Sequence, residues 1–170
     1  MFKKRKSLRL KNFNYASKGA YFLTICIQSK AQLLGTITDG VMQLNEYGQM
    51  IGDEWMKTPT LRPNVILDEF MIMPDHFHAI IFIGERMDNY QGWGVCQYAP
   101  TDNKFQSPSQ TIGAIVRGFK SATTTQINNR RNTPKQLVWQ RNYYERIIRD
   151  EMELNQMREY IQNNPRMADT

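Results

Sequence analysis

Runs and alternations of apolar residues divide this chain into strands and helices. From Tyr21 to Ile27 the run YFLTICI is aromatic and β-branched, which predicts a mostly buried strand. Leu33–Thr38 and Val41–Leu44 flank Asp39-Gly40, a strong hairpin signal. The period then changes. Tyr47, Met50, Ile51 and Trp55 recur at helical spacing behind Asn45, a suitable N-cap, and Pro59 and Pro63 are expected to end that helix. Val65–Met73 predicts a second strong strand. Pro74-Asp75 predicts a tight turn, and His78–Ile83 predicts the strand that pairs antiparallel with the one before it.

The stretch from Gly84 to Ser109 is polar and aperiodic, and is expected to be a long, mobile loop. Order resumes at Thr111, where Ile112, Ile115, Val116 and Phe119 mark one face of a helix. Leu137–Trp139 reads as a short extended piece. Asp150 with Glu153 resembles a capping box, Leu154, Met157 and Ile161 form the stripe of a last helix, and Pro165 is expected to stop it. This order of elements predicts an α+β sandwich, a central antiparallel sheet covered by helices.

Length and charge sharpen the picture. A chain of 170 residues suits one domain with its own core, here residues 13–170 behind a basic arm at 1–12. No run of apolar residues is long enough to cross a membrane, and no apolar stretch follows the charged N-terminus as in a secretory signal. Cys26 and Cys96 show no metal-type spacing, and a cytoplasmic, reducing compartment is expected. The net charge of +6 equals the arm's contribution from Lys3, Lys4, Arg5, Lys6, Arg9 and Lys11, because the other 16 basic residues balance 16 acids. Such an arm is either a solvated tail or a phosphate-binding element with salt-sensitive affinity. Arg117 and Lys120, off the apolar face of their helix, join it as candidate DNA-contacting cations.

The candidate chemistry lies elsewhere. The two histidines of the chain, His76 and His78, are two residues apart in an extended segment, so both project from one face and can reach one ion, while Phe77 points into the core. Spacing alone leaves them open between metal ligands and satisfied polar groups. Two neutral nitrogens completed by oxygen donors would suit Mg2+ or Mn2+ in phosphoryl chemistry, and suit structural zinc poorly. Tyr160 lies at the edge of the buried face of the last helix, one turn before Asn164. By position alone it is one of several visible tyrosines, with Tyr143 and Tyr144.

Two segments then carry a resemblance. MPDHFHAIIFIG resembles the His-hydrophobic-His signature of the HUH endonuclease superfamily. VWQRNYYERIIRDEMELNQMREYIQNNP resembles the C-terminal signature of the IS200-like single-tyrosine transposases, specifically the REP-associated tyrosine transposase group. The likeness runs from about Phe13 to Pro165, with both signatures in the right order. It implies a ferredoxin-like (RRM-like) sandwich with the histidines on a central strand. Tyr160, in its YIxxNP context, would be the nucleophile that forms a 5′-phosphotyrosine, and Asn164 a third metal-site ligand where the insertion-sequence enzymes carry Gln. It further implies single-stranded or hairpin DNA as partner (REP-like or insertion-sequence ends), nucleoid association, and a monomer in preference to a homodimer. A non-catalytic ferredoxin-like nucleic-acid-binding protein, and a hydrolase that activates water, are the competing readings.

Overall fold

The computed structural model describes residues 18–84 and 111–168, with side chains as far as 165. The basic arm, Cys96 and the loop expected to be mobile, beyond Gly84, lie outside the described residues.

Four strands form one antiparallel sheet: β1 (Gly19–Cys26), β4 (Val65–Ile72), β5 (His76–Ile83) and β6 (Tyr144–Ile148), in the order β4-β5-β1-β6. With the helices between them this is the expected ferredoxin-like α+β sandwich. β2 (Gly35–Thr38) and β3 (Val41–Leu44) make a separate hairpin. Its turn residues Asp39 and Gly40 both take positive φ, 52° and 69°, as a tight right-twisting hairpin requires.

The two faces of the sheet are covered differently. On one, β1 residues Tyr21, Leu23 and Ile25 and β5 residues Phe77, Ala79 and Ile81 pack under α1 (Glu46–Met56) and α3 (Ile112–Arg130). Trp55 sits at the centre, its ring 5.0 Å from Phe77 and 5.1 Å from Phe119. On the other face, Ala20, Phe22, Ile80 and Ile148 meet Leu154 and Ile161 of α4 (Glu151–Ala168). Asn45 caps α1 by accepting hydrogen bonds from Tyr47 and Gly48, and Thr111 caps α3 through the Ala114 N–H. Asp150 accepts from the Glu153 N–H, while the Glu153 carboxylate turns back to the Arg149 N–H at 2.9 Å.

Four expectations need correction. β5 starts at His76 rather than His78, because the turn closes early with the Met73 N–H donating to the His76 carbonyl. Pro59 does not only end α1. It lies in the first turn of a short helix, α2 (Thr58–Leu61), where its missing N–H costs nothing. Pro165 does not stop α4, which continues to Ala168. Proline's fixed φ is compatible with a helix, so the chain continues through it with the loss of one backbone hydrogen bond. Finally, Tyr144–Ile148 is a strand that was not anticipated. No helix among the described residues is long and apolar enough to cross a membrane.

Candidate active site

Strand pairing assembles the site. β1 pairs with β5 and β6 so that Thr24 lies opposite His78 on one side and Tyr144 on the other, and Phe22 lies opposite Ile80 and Arg146. Because side chains alternate across a strand, His78, Thr24 and Tyr144 form a polar row on the face that α4 covers. Their odd-numbered neighbours on β1 and β5 build the opposite core.

Each histidine is held by its Nδ1. His76 Nδ1 lies 2.5 Å from the Asp75 carboxylate, and His78 Nδ1 lies 2.9 Å from Thr24 Oγ1. The two rings meet edge to face, 4.6 Å between centroids. Holding Nδ1 leaves Nε2 as the ligand-facing nitrogen, as orienting partners do for metal-binding imidazoles. His78 Nε2 is buried and has no hydrogen-bond partner among the described residues. An orphaned buried nitrogen costs on the order of 1–3 kcal/mol unless something binds it. Burial, then the neighbouring His76, lowers the His78 pKa from 6.5 to about 4, which keeps the imidazole neutral and able to donate a lone pair. The pair therefore fits a divalent cation. Among the described residues no group of three or more His, Cys, Asp and Glu side chains gathers round one point, so further donors would be amide, water or phosphate oxygens.

Tyr160 stands over this floor. Its ring is edge-on to His78 at 5.4 Å and to Phe22 at 6.0 Å, and Phe22 stacks on His78 at 5.2 Å. Phe22, Thr24, His78, Tyr144, Arg146, Met157 and Tyr160 line an open pocket. Tyr160 remains 40% exposed. An ion pair fixes α4 here: Arg158 donates to both carboxylate oxygens of Asp68, which a bulge in β4 between Leu67 and Phe70 presents.

The other expected residues fall elsewhere. Asn164 is buried one turn beyond Tyr160 and does not line the pocket. Arg117 is exposed on α3, behind the sheet from Tyr160. Lys120, also on α3, is occupied: its ammonium donates to the Gln140 and Asn142 carbonyls, both at 2.9 Å, and lies 5.7 Å from the Tyr143 ring centre. Burial lowers its pKa to about 8. Lys3, Lys4, Arg5, Lys6, Arg9 and Lys11 lie outside the described residues. Sequence reasoning missed Asp75, Thr24 and Arg146. Asp75 was visible as the residue before His76. Thr24 and Arg146 had no local signal, since only strand register brings them to the site.

No family model matches the chain. A Haemophilus influenzae protein described only as uncharacterized is 47% identical over 165 residues, covering 95% of this chain and 88% of that protein. At that likeness the two belong to one family. A second H. influenzae protein, named "Putative REP-associated tyrosine transposase", is 26% identical over 153 residues, 89% of this chain and 73% of its own length. Among solved structures, a REP-associated tyrosine transposase bound to a REP hairpin matches with a TM-score of 0.61 at 18% identity, over 95% of this chain and 74% of that one. A "putative transposase" from Deinococcus radiodurans matches with a TM-score of 0.50 at 18% identity, over 91% and 97%. The resemblance carried by HFH and YIQNNP is thus borne out by the fold and by a second relative.

Proposed function

We propose that this chain, of one family with the uncharacterized H. influenzae protein and built on the fold of the REP-associated tyrosine transposases, cuts and rejoins single-stranded DNA with Tyr160 as nucleophile. The observation that carries the reading is the Tyr160 ring 5.4 Å from a buried histidine whose Nε2 lacks a partner among the described residues. A tyrosine at the mouth of an open pocket, beside a pair of imidazoles, is suited to phosphoryl transfer.

The Tyr160 oxygen attacks the scissile phosphorus, and its proton leaves to solvent. A P–O bond forms to tyrosine as the bond to the 3′ oxygen breaks, and that oxygen takes up a proton as a 3′-OH. The 5′ end stays on the protein as a phosphotyrosine. Phenol, with a pKa of about 10, is a better leaving group than a sugar hydroxyl. A 3′-OH can therefore attack the phosphotyrosine and rejoin the strand without a nucleotide cofactor. When bound at His76 and His78, with Asn164 as proposed third donor, Mg2+ or Mn2+ supplies Lewis-acid polarisation of a phosphate oxygen. Asp75 and Thr24 keep the imidazoles oriented for it. A monomer is the proposed form.

Hairpin DNA with a single-stranded flank, of the kind held by the structural neighbour, is the proposed substrate. The test is a labelled oligonucleotide of this form incubated with the protein and resolved under denaturing conditions. A covalent adduct is expected, and Tyr160→Phe should lose it while still binding DNA. Binding with no adduct would point to a non-catalytic module. Strand cleavage without an adduct would point to activated water. An adduct that survives Tyr160→Phe and vanishes in Tyr144→Phe would move the nucleophile.

A further inference from the structure

We propose that Arg146 is a phosphate-binding residue of the Tyr160 pocket, holding the backbone of single-stranded DNA so that one phosphate faces the tyrosine. The inference rests on the reading of this pocket as a DNA site. Register alone sets Arg146 there. It lies opposite Phe22, one step along the face from the Thr24–Tyr144 pair, and lines the same pocket as Tyr160.

Charge decides what it does. Of the seven described residues lining the pocket, Arg146 alone carries a permanent charge. The other six are apolar, hydroxyl-bearing, phenolic or, at His78, imidazole. A phosphodiester entering this pocket brings a full negative charge, and among the described residues the guanidinium is the lining group that answers it. Its position is prepared. Arg146 Nη2 lies 2.5 Å from Glu153 Oε1, while the other Glu153 oxygen takes the Arg149 N–H as part of the cap that starts α4. Glu153 is 13% exposed and so anchored, whereas Arg146 is half exposed. A guanidinium has five N–H donors in a fixed fork, so one bond to Glu153 leaves others for phosphate oxygens. Tyr144, 43% exposed at the next position on this face, adds a ring on which a base can stack. A ring for the base and a cation for its phosphate make a nucleotide-shaped pair.

The alternative is that Arg146 and Glu153 form only a surface ion pair joining β6 to α4, which contributes little. Binding separates the two. In a Tyr160→Phe background, which removes the chemistry, a labelled oligothymidylate is titrated across salt concentrations. Arg146→Ala should weaken binding about 10- to 100-fold, the range for a charge-assisted hydrogen bond. It should lower the salt slope by about 0.7, one phosphate contact on a single strand. Arg146→Lys should restore the slope. Arg146→Gln, which keeps a polar but uncharged head on a shorter stem, serves if alanine prevents folding, and should lose the slope as alanine does. A folded alanine or glutamine variant with unchanged slope overturns the proposal, as does a lysine variant that fails to restore it. Adduct formation is scored separately on the chain with Tyr160 intact. No adduct together with a changed slope removes the nuclease reading and keeps the phosphate contact. An adduct with an unchanged slope does the reverse.

Discussion

Arg158 grips Asp68 with two parallel hydrogen bonds, Nε to Oδ1 and Nη2 to Oδ2, and so ties the tyrosine helix to an irregularity in an edge strand. The two side chains are 33% and 12% exposed, between the surface and buried regimes. A double-mutant cycle with Arg158→Ala and Asp68→Ala, followed by urea unfolding, should give a coupling of about 1–2 kcal/mol. Arg158→Ala should also slow adduct formation more than it destabilises the fold, because it frees the turn that carries Tyr160. Equal loss of rate from an unrelated α4 variant of matched stability would argue against that link.

Thr24 is the partner that holds Nδ1 of His78. Thr24→Val keeps the shape and removes the hydroxyl. The imidazole then loses its orienting bond, and Mn2+ affinity should fall about 10- to 100-fold. Calorimetric titration of Mn2+ into both proteins measures this. Identical affinities would mean that Thr24 is only packing.

Cation dependence follows from the same pair. Adduct formation should stop in excess chelator and return with Mg2+ or Mn2+. His76→Ala and His78→Ala should each remove the recovery. Full cleavage by metal-free protein would sink the metal proposal.

The depressed His78 pKa predicts a pH-dependent stability of the metal-free protein. Because the folded value, about 4, lies below the ordinary 6.5, the unfolded chain binds the extra proton between them. The contribution is therefore complete above pH 6.5 and is lost as pH falls toward 4. A shift of this size corresponds to about 3 kcal/mol. Urea midpoints across that range should decline in the parent chain, and His78→Phe should remove this part of the slope. Parallel curves for the two proteins would show that other groups are responsible.

Deleting residues 1–11 removes six positive charges. If three or four of them meet phosphates, the salt slope for single strands should fall by about two to three units. The ratio of hairpin to scrambled affinity should hold, since phosphates carry no direct base information. A collapse of that ratio would mean the arm reads sequence, and an unchanged slope would mean it is only solvated.

Much of this site was legible in the chain because it depends on local spacing. HFH in an extended run put both imidazoles on one face, Tyr160 fell at the rim of the helix stripe, and Asp150 with Glu153 marked where that helix begins. What depends on register or long-range contact was not. YERII hides a strand because Ile147 and Ile148 are adjacent and break the alternation, and without β6 there was no Arg146 in the pocket. Lys120 read as a free surface cation because its partners, the carbonyls of Gln140 and Asn142, have no side-chain signature. Asp68 gave no hint of pairing with Arg158, 90 positions away.

The division of labour along β1 and β5 bears on how such a protein can be rebuilt. Leu23, Ile25, Phe77, Ala79 and Ile81 lock the register from the far side of the sheet. Thr24 and His78 then face each other as a by-product of that lock. Frame and reagents are thus written in interleaved but separate positions. The reagents can be exchanged, a different side-chain pair at 76 and 78 or a different ring at 160, with the frame untouched. The frame offers no such freedom, since a one-residue slip would turn Leu23 and Phe77 toward the Tyr160 pocket and bury the histidines among isoleucines. New chemistry on this scaffold should therefore be sought by varying one parity of residues and leaving the other alone.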